Sequence, residues 1–107
     1  MQELEIRKGH YQNIEGGKLK VLMRELFGDV CETDGKLVSN FGAMKPITVW
    51  LKDKGTLCVD IQTDAGVDSD TAMKTISTKN VFLERATGFS AKERMKRLQK
   101  RAKEGGL

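Results

Sequence analysis

The side chains of this chain that could do chemistry are few and scattered. His10 is the only histidine, and Cys31 and Cys58 are the only cysteines. Nucleophilic catalysis needs a base within hydrogen-bond reach of the nucleophile. His10, in a polar, glycine-flanked stretch, lies far in sequence from both thiols, so it reads as a surface-loop histidine. The cysteines stand outside any CxxC or Cys/His cluster. In a reducing compartment they read as free thiols, buried or half-buried, rather than as a disulfide. No GxxxxGK[ST] or GxGxxG run is present, which excludes those two nucleotide-binding loops. Gly16-Gly17 ahead of a helical pattern could turn backbone N–H groups toward an anion, but glycines before helices are common. Asp64, Asp68 and Asp70 form an acidic cluster without the twelve-residue loop and closing Glu of a calcium hand. Capping of the next helix explains it better. No catalytic constellation, metal site or cofactor is expected, and the chain reads as a non-enzyme.

The one dense group of functional side chains is cationic. Residues 90–107 hold Lys92, Arg94, Lys96, Arg97, Lys100, Arg101 and Lys103 against Glu93 and Glu104 only. That segment is therefore +5 in a chain of net +4, which leaves residues 1–89 at −1. A near-neutral body with a cationic appendage suits a polyanionic partner. Each Lys or Arg that neutralises a phosphate releases counterions, so nucleic-acid binding through phosphate contacts is the most specific role on offer. The alternatives are a solvated terminal helix, an acidic protein partner, or anionic lipid. Membrane attachment ranks last because the helix has no wide apolar band. Ala91, Met95, Leu98 and Ala102 recur at helical spacing and make a narrow stripe that could dock on the body or on another helix.

Elements must position these groups. Leu4 and Ile6 alternate with charged residues, which predicts a strand over 3–8. Leu19, Leu22, Met23 and Leu26 recur at i, i+3, i+4 and i+7, and Gly28 follows, which predicts a helix over 17–27. Asp34-Gly35 is a type I′ hairpin signal between strands at 30–33 and 36–40. Ile47, Val49 and Leu51 alternate, as do Leu57, Val59 and Ile61. A three-residue loop Asp53-Lys54-Gly55, with Gly55 left-handed, would set Leu51 opposite Leu57, Val49 opposite Val59 and Ile47 opposite Ile61. These six side chains are expected to bury against Leu19, Leu22, Met23, Leu26, Ile76 and Leu83. The opposite face of this hairpin is polar apart from Trp50. Trp50 could be a base-stacking platform, a homodimer contact, or a residue sheltered by a loop.

A second helix follows over about 69–87, capped by Asp68 or Ser69, with Ala72, Met73, Ile76, Asn80, Leu83 and Ala86 in register. Thr87-Gly88 ends it, and Ser90-Ala91-Lys92-Glu93 is a capping box that starts the basic helix. Gly105-Gly106 is expected to stop it. At 107 residues and 12.0 kDa, with 38% hydrophobic and 32% charged residues, the chain can bury a core without disulfides or metal. No apolar run reaches the ~20 residues of a membrane span, and the charged start argues against a signal peptide. The expected location is cytoplasmic.

FGAM at 41–44 and FLERATGFSAKERMKRLQK at 82–100 resemble a family of small uncharacterised archaeal proteins, similar in fold to the TATA-box-binding protein. The resemblance implies an α+β, TATA-box-binding-protein-like order of one strand, a helix, four strands and a closing helix, together with an archaeal source. It implies no function. TATA recognition uses a tandem repeat of this unit and paired phenylalanine wedges, whereas this chain has one copy and offers Trp50 on the matching open face.

The resulting expectation is a two-layer sandwich: an antiparallel sheet of about five strands with two main helices on one face, plus the basic C-terminal helix. Residues 1–89 form the domain and residues 90–107 the appendage. Its expected role is a non-enzymatic interaction domain that binds nucleic acid weakly through the basic helix. The alternative is a protein–protein module or homodimer using the open sheet face around Trp50.

Overall fold

A computed structural model describes residues 2–97. Five strands form one sheet: β1 (Gln2–Glu5), β2 (Cys31–Thr33), β3 (Lys36–Phe41), β4 (Met44–Asp53) and β5 (Thr56–Thr63). Their order is β1-β5-β4-β3-β2, antiparallel throughout. Helix α1 (Lys18–Phe27) follows β1, and α2 (Ser69–Thr87) follows β5. A third helix, α3, starts after Ser90 and is helical over residues 91–97. The expected stop at Gly105-Gly106 lies outside the described residues.

The central hairpin takes the register its alternation demands: Ile47↔Ile61, Val49↔Val59 and Leu51↔Leu57. Ile47, Val49, Leu57 and Val59 are fully buried, while Leu51 and Ile61 sit half-buried at the margin of the same core. The turn differs from the expected one. Gly55 has no left-handed φ. The odd residue is absorbed instead as a register shift between Leu51 and Asp53, whose carboxylate accepts the Gly55 N–H at 2.8 Å. The β2–β3 turn is as expected, with Asp34 and Gly35 at φ 53° and 77°.

β1 is shorter than the 3–8 run because β5 begins at Thr56, opposite Glu5, and offers no further partner. The chain stays anchored beyond it. The Ile6 N–H donates to the Gly55 carbonyl at 2.9 Å, and the Arg7 N–H to the Thr87 carbonyl at 2.8 Å. Residues 2–8 thus run along β5 to the hairpin tip and then reach the end of α2.

One core joins the inner face of the sheet to α1 through Leu19, Leu22, Met23 and Phe27, and to α2 through Phe82, Leu83 and Ala86. Phe27 lies 5.1 Å from Phe82 and 5.5 Å from Phe41, centroid to centroid. The buried stripe of α2 matches the expected one at Leu83 and Ala86 but not at Met73 and Ile76. Met73 and Ile76 are exposed, at 70% and 56%. Thr75 and Thr87 are buried in their place because each hydroxyl donates to the carbonyl four residues earlier, at 2.6 Å. A satisfied threonine can enter a core that an apolar count would deny it.

The two thiols also need correction. Cys58 is buried, but Cys31 is exposed rather than half-buried. They lie on β2 and β5 with β3 and β4 between them. At ~4.8 Å per strand the separation is far beyond the ~7 Å Cα limit for a disulfide. Among the described residues, no helix is long and apolar enough to cross a membrane.

Candidate functional site

The α2–α3 junction is built by local chemistry. Gly88 takes a left-handed conformation (φ 82°), and its N–H donates to the Glu84 carbonyl at 2.8 Å. Thr87 Oγ1 then accepts the Phe89 N–H at 3.2 Å. The Ser90 and Glu93 capping box forms as expected: Glu93 N–H donates to Ser90 Oγ and Ser90 N–H to Glu93 Oε1, both at 3.3 Å. These bonds hold the Glu93 carboxyl below its ordinary range, with Arg7 adding a smaller pull.

Over residues 91–97 the helix docks on the body, but not through the two described residues of its apolar stripe. Ala91 and Met95 are exposed, and Leu98 and Ala102 lie outside the described residues. Docking runs through two arginines instead. Arg94 is buried, donating to the Phe89 carbonyl at 2.7 Å and to Asn80 Oδ1 at 3.4 Å. Burial pushes its pKa down from the usual guanidinium value. Arg97 ion-pairs with Glu5 and lies over the Phe89 ring, 4.1 Å from its centroid. Arg7 approaches the same ring at 5.2 Å and pairs with Glu93 at 3.3 Å.

The seven cations expected to meet phosphate therefore divide. Lys92 and Lys96 are exposed, Arg97 is exposed but engaged, and Arg94 is taken up by the fold. Lys100, Arg101 and Lys103 lie outside the described residues. Trp50 is on the outer face of the sheet, half-buried, with Lys36 Nζ 4.4 Å above its ring. Lys36 is a cation the single hairpin did not reveal: the β3–β4 register, with Leu37 opposite Val49, brings it there. Lys52 on that face pairs with Glu3 at 2.8 Å, which raises the lysine pKa.

Arg97 also lines a cleft of about 860 Å³ with Arg7, Lys8, Tyr11, Lys54 and Phe89. Four cations stand in it against one carboxylate, Glu5. Arg7, Lys8, Tyr11 and Lys54 had no place among the sequence candidates. Only the pairing of β1 along β5 brings residues 5–8 beside the hairpin tip, and only the α2–α3 turn adds Phe89 and Arg97.

Of the groups considered for chemistry, His10, Asp64 and Asp68 are engaged by hydrogen bonds, Cys58 is buried and Cys31 is exposed. His10 is half-buried rather than free. Its Nε2 lies 2.7 Å from the Arg85 carbonyl and its Nδ1 3.2 Å from Asn13 Nδ2. That pattern fits a tautomer that donates from Nε2 and accepts at Nδ1. Burial pushes the Cys58 thiol pKa up, which favours the thiol over the nucleophilic thiolate. Asp68 caps α2 by accepting the Thr71 N–H at 2.9 Å, and Asp64 accepts the Gly66 N–H at 2.8 Å. The Thr71 hydroxyl and N–H hold the Asp68 carboxyl below its ordinary range, and the Gly66 N–H does the same for Asp64. Among the described residues, no three His, Cys, Asp or Glu side chains converge as metal ligands.

Residues 1–100 match the model of a family described as Domain of unknown function (DUF5611). The fold is similar to the NMR solution structure of hypothetical protein TA0095 from Thermoplasma acidophilum, an archaeal chain. The two share 24% identity, the alignment covers 92% of this chain and 97% of that one, and the TM-score is 0.60. No curated protein matches the sequence.

Proposed function

The chain belongs to the DUF5611 family of domains of unknown function, and we propose that it is a non-enzymatic, cytoplasmic domain that binds nucleic acid through phosphate contacts. The binding surface comprises the exposed cations of the C-terminal helix, Lys92 and Lys96, and the cleft beside it. One observation carries this reading: Arg97 joins the two, since it projects from the basic helix and lines the cleft with Arg7, Lys8 and Lys54. Cations from opposite ends of the sequence thus share one surface. Because the contacts go to phosphates, binding is weak and varies little with sequence. A TATA-box-binding-protein-like layering fits this role only as a scaffold, since base reading there needs a repeat and wedges this chain does not carry.

The test is fluorescence anisotropy over a salt series, using the full chain and a variant in which Lys92, Lys96, Lys100 and Lys103 are changed to Gln. Lys92 and Lys96 make no ion pair among the described residues, and circular dichroism checks that the variant folds. If four phosphates are neutralised, the log–log slope on duplex DNA is about −3.6, and each phosphate left un-neutralised flattens it by about 0.9. No binding at low salt, or equal slopes for both proteins, overturns the proposal.

A further inference from the structure

We infer that the cleft takes single-stranded nucleic acid, with Tyr11 stacking on a base and Lys8 and Lys54 holding the flanking phosphates; this rests on the phosphate-binding reading above. At about 860 Å³ the cleft has the size of a small-ligand pocket. A flexible strand can enter such a space, whereas a duplex can only lie across its rim. One wall is already set: Arg7 and Arg97 lie against the buried Phe89 ring, and their guanidinium groups are tied to Glu93 and Glu5. Lys8 and Lys54 make no ion pair among the described residues, so they are the lining cations with charge left for a ligand.

Tyr11 supplies the stacking surface. Phe89 cannot, because only 4% of it is exposed. Tyr11 is half-buried and opens the short 3₁₀ turn Tyr11–Asn13, where its carbonyl accepts the N–H groups of Ile14 and Glu15 at 2.9 and 3.0 Å. Its hydroxyl has no hydrogen-bond partner among the described residues. The neighbouring His10 ties the turn to the end of α2 through the Arg85 carbonyl. The backbone beneath the ring is therefore fixed before any ligand arrives, and the ring packs against the core, which lowers the entropic cost of stacking. An aromatic platform in a cationic groove is the arrangement by which single strands are held without sequence preference.

The experiment compares a labelled oligo(dT) strand with a duplex of equal length at low salt. Proteins compared are the wild type, Tyr11→Leu, Tyr11→Phe and the double variant Lys8→Gln/Lys54→Gln. Leucine keeps an apolar side chain against the core without the ring, and circular dichroism checks each fold. Expected results are a wild-type preference for the strand and about tenfold weaker strand binding by Tyr11→Leu. Tyr11→Phe should match the wild type, and duplex affinity should be unchanged in both Tyr11 variants. The double variant should flatten the strand's salt slope by about 1.4. If Tyr11→Phe loses as much as Tyr11→Leu, the contact is a hydroxyl on phosphate and stacking is wrong. If strand binding is insensitive to Tyr11, or the double variant keeps the wild-type slope, the cleft is not the strand's site. In both cases the helix can still bind phosphate. A wild type that binds neither probe removes the phosphate-binding reading and this one together.

Discussion

Gly42 and Thr75 are fitted to each other where the β3–β4 turn meets α2. The Ala43 N–H donates to Thr75 Oγ1 at 3.0 Å, and a Cβ on Gly42 would overlap that same oxygen. Gly42 also holds φ 53°, in the left-handed region. The FGAM segment therefore has an architectural explanation. Phe41 and Met44 pack on the core, while Gly42 and Ala43 let a helix threonine close over the turn.

Gly42→Ala should destabilise the protein by more than about 1 kcal/mol, since it combines backbone strain with overlap. Thr75→Ala alone should cost about 1–3 kcal/mol by leaving the Ala43 N–H without its acceptor. The double variant should lose less than the two single losses added together, because the overlap disappears with the hydroxyl. Urea unfolding of all four proteins measures the coupling, and strict additivity would show that the two residues act independently.

Arg94 should matter for stability and not for phosphate binding. Its replacement by Ala leaves the buried Phe89 carbonyl without its charged donor, at a cost of about 1.5–3 kcal/mol. Hydrogen exchange should quicken at residues 90–97. In a chain that still folds, the salt slope on DNA should be that of the wild type. A flattened slope would return Arg94 to the phosphate-binding set.

Cys31 and Cys58 should separate cleanly in alkylation. Cys31 is exposed on the edge strand, whereas Cys58 is buried with its pKa pushed up by desolvation. Iodoacetamide at neutral pH should label Cys31 in the folded protein, and Cys58 only on unfolding, as read by peptide mass spectrometry. Early labelling of Cys58 would mean that the outer face opens readily.

The capping carboxylates should set the acid limb of stability. Asp68 and Glu93 have folded pKa values below their ordinary ones because N–H and hydroxyl donors favour the ionised form. Their stabilisation is thus fully present above the ordinary carboxylate range near pH 4 and is lost as pH falls through the lower folded values. Asn and Gln can still accept these hydrogen bonds without titrating. The variant Asp68→Asn/Glu93→Gln should fold normally at neutral pH and lose less Tm between pH 5 and pH 2. Parallel Tm curves for the two proteins would rule this out.

Local and nearest-neighbour pattern determined much of this protein by sequence alone. The period of α1, the Asp34-Gly35 turn, the register of Val49 on Val59 and the Ser90–Glu93 box depend on residues a few positions apart or on one hairpin. Their physics is local, so the chain displays it directly. The tertiary structure decided what depends on distant partners. Thr75 is buried because Ala43 supplies a donor, and Arg94 is buried because Phe89 and Asn80 accept from it, while Met73, Ile76 and Met95 stay in solvent. The cleft is the same case on a larger scale. Arg7, Lys8, Tyr11, Lys54 and Arg97 meet only because β1 pairs beside the hairpin tip and Gly88 turns the chain back toward it. Side-chain type signals hydrophobicity and charge at each position, but a polar group enters a core, or a cation joins a site, only when folding brings its partner within bonding distance.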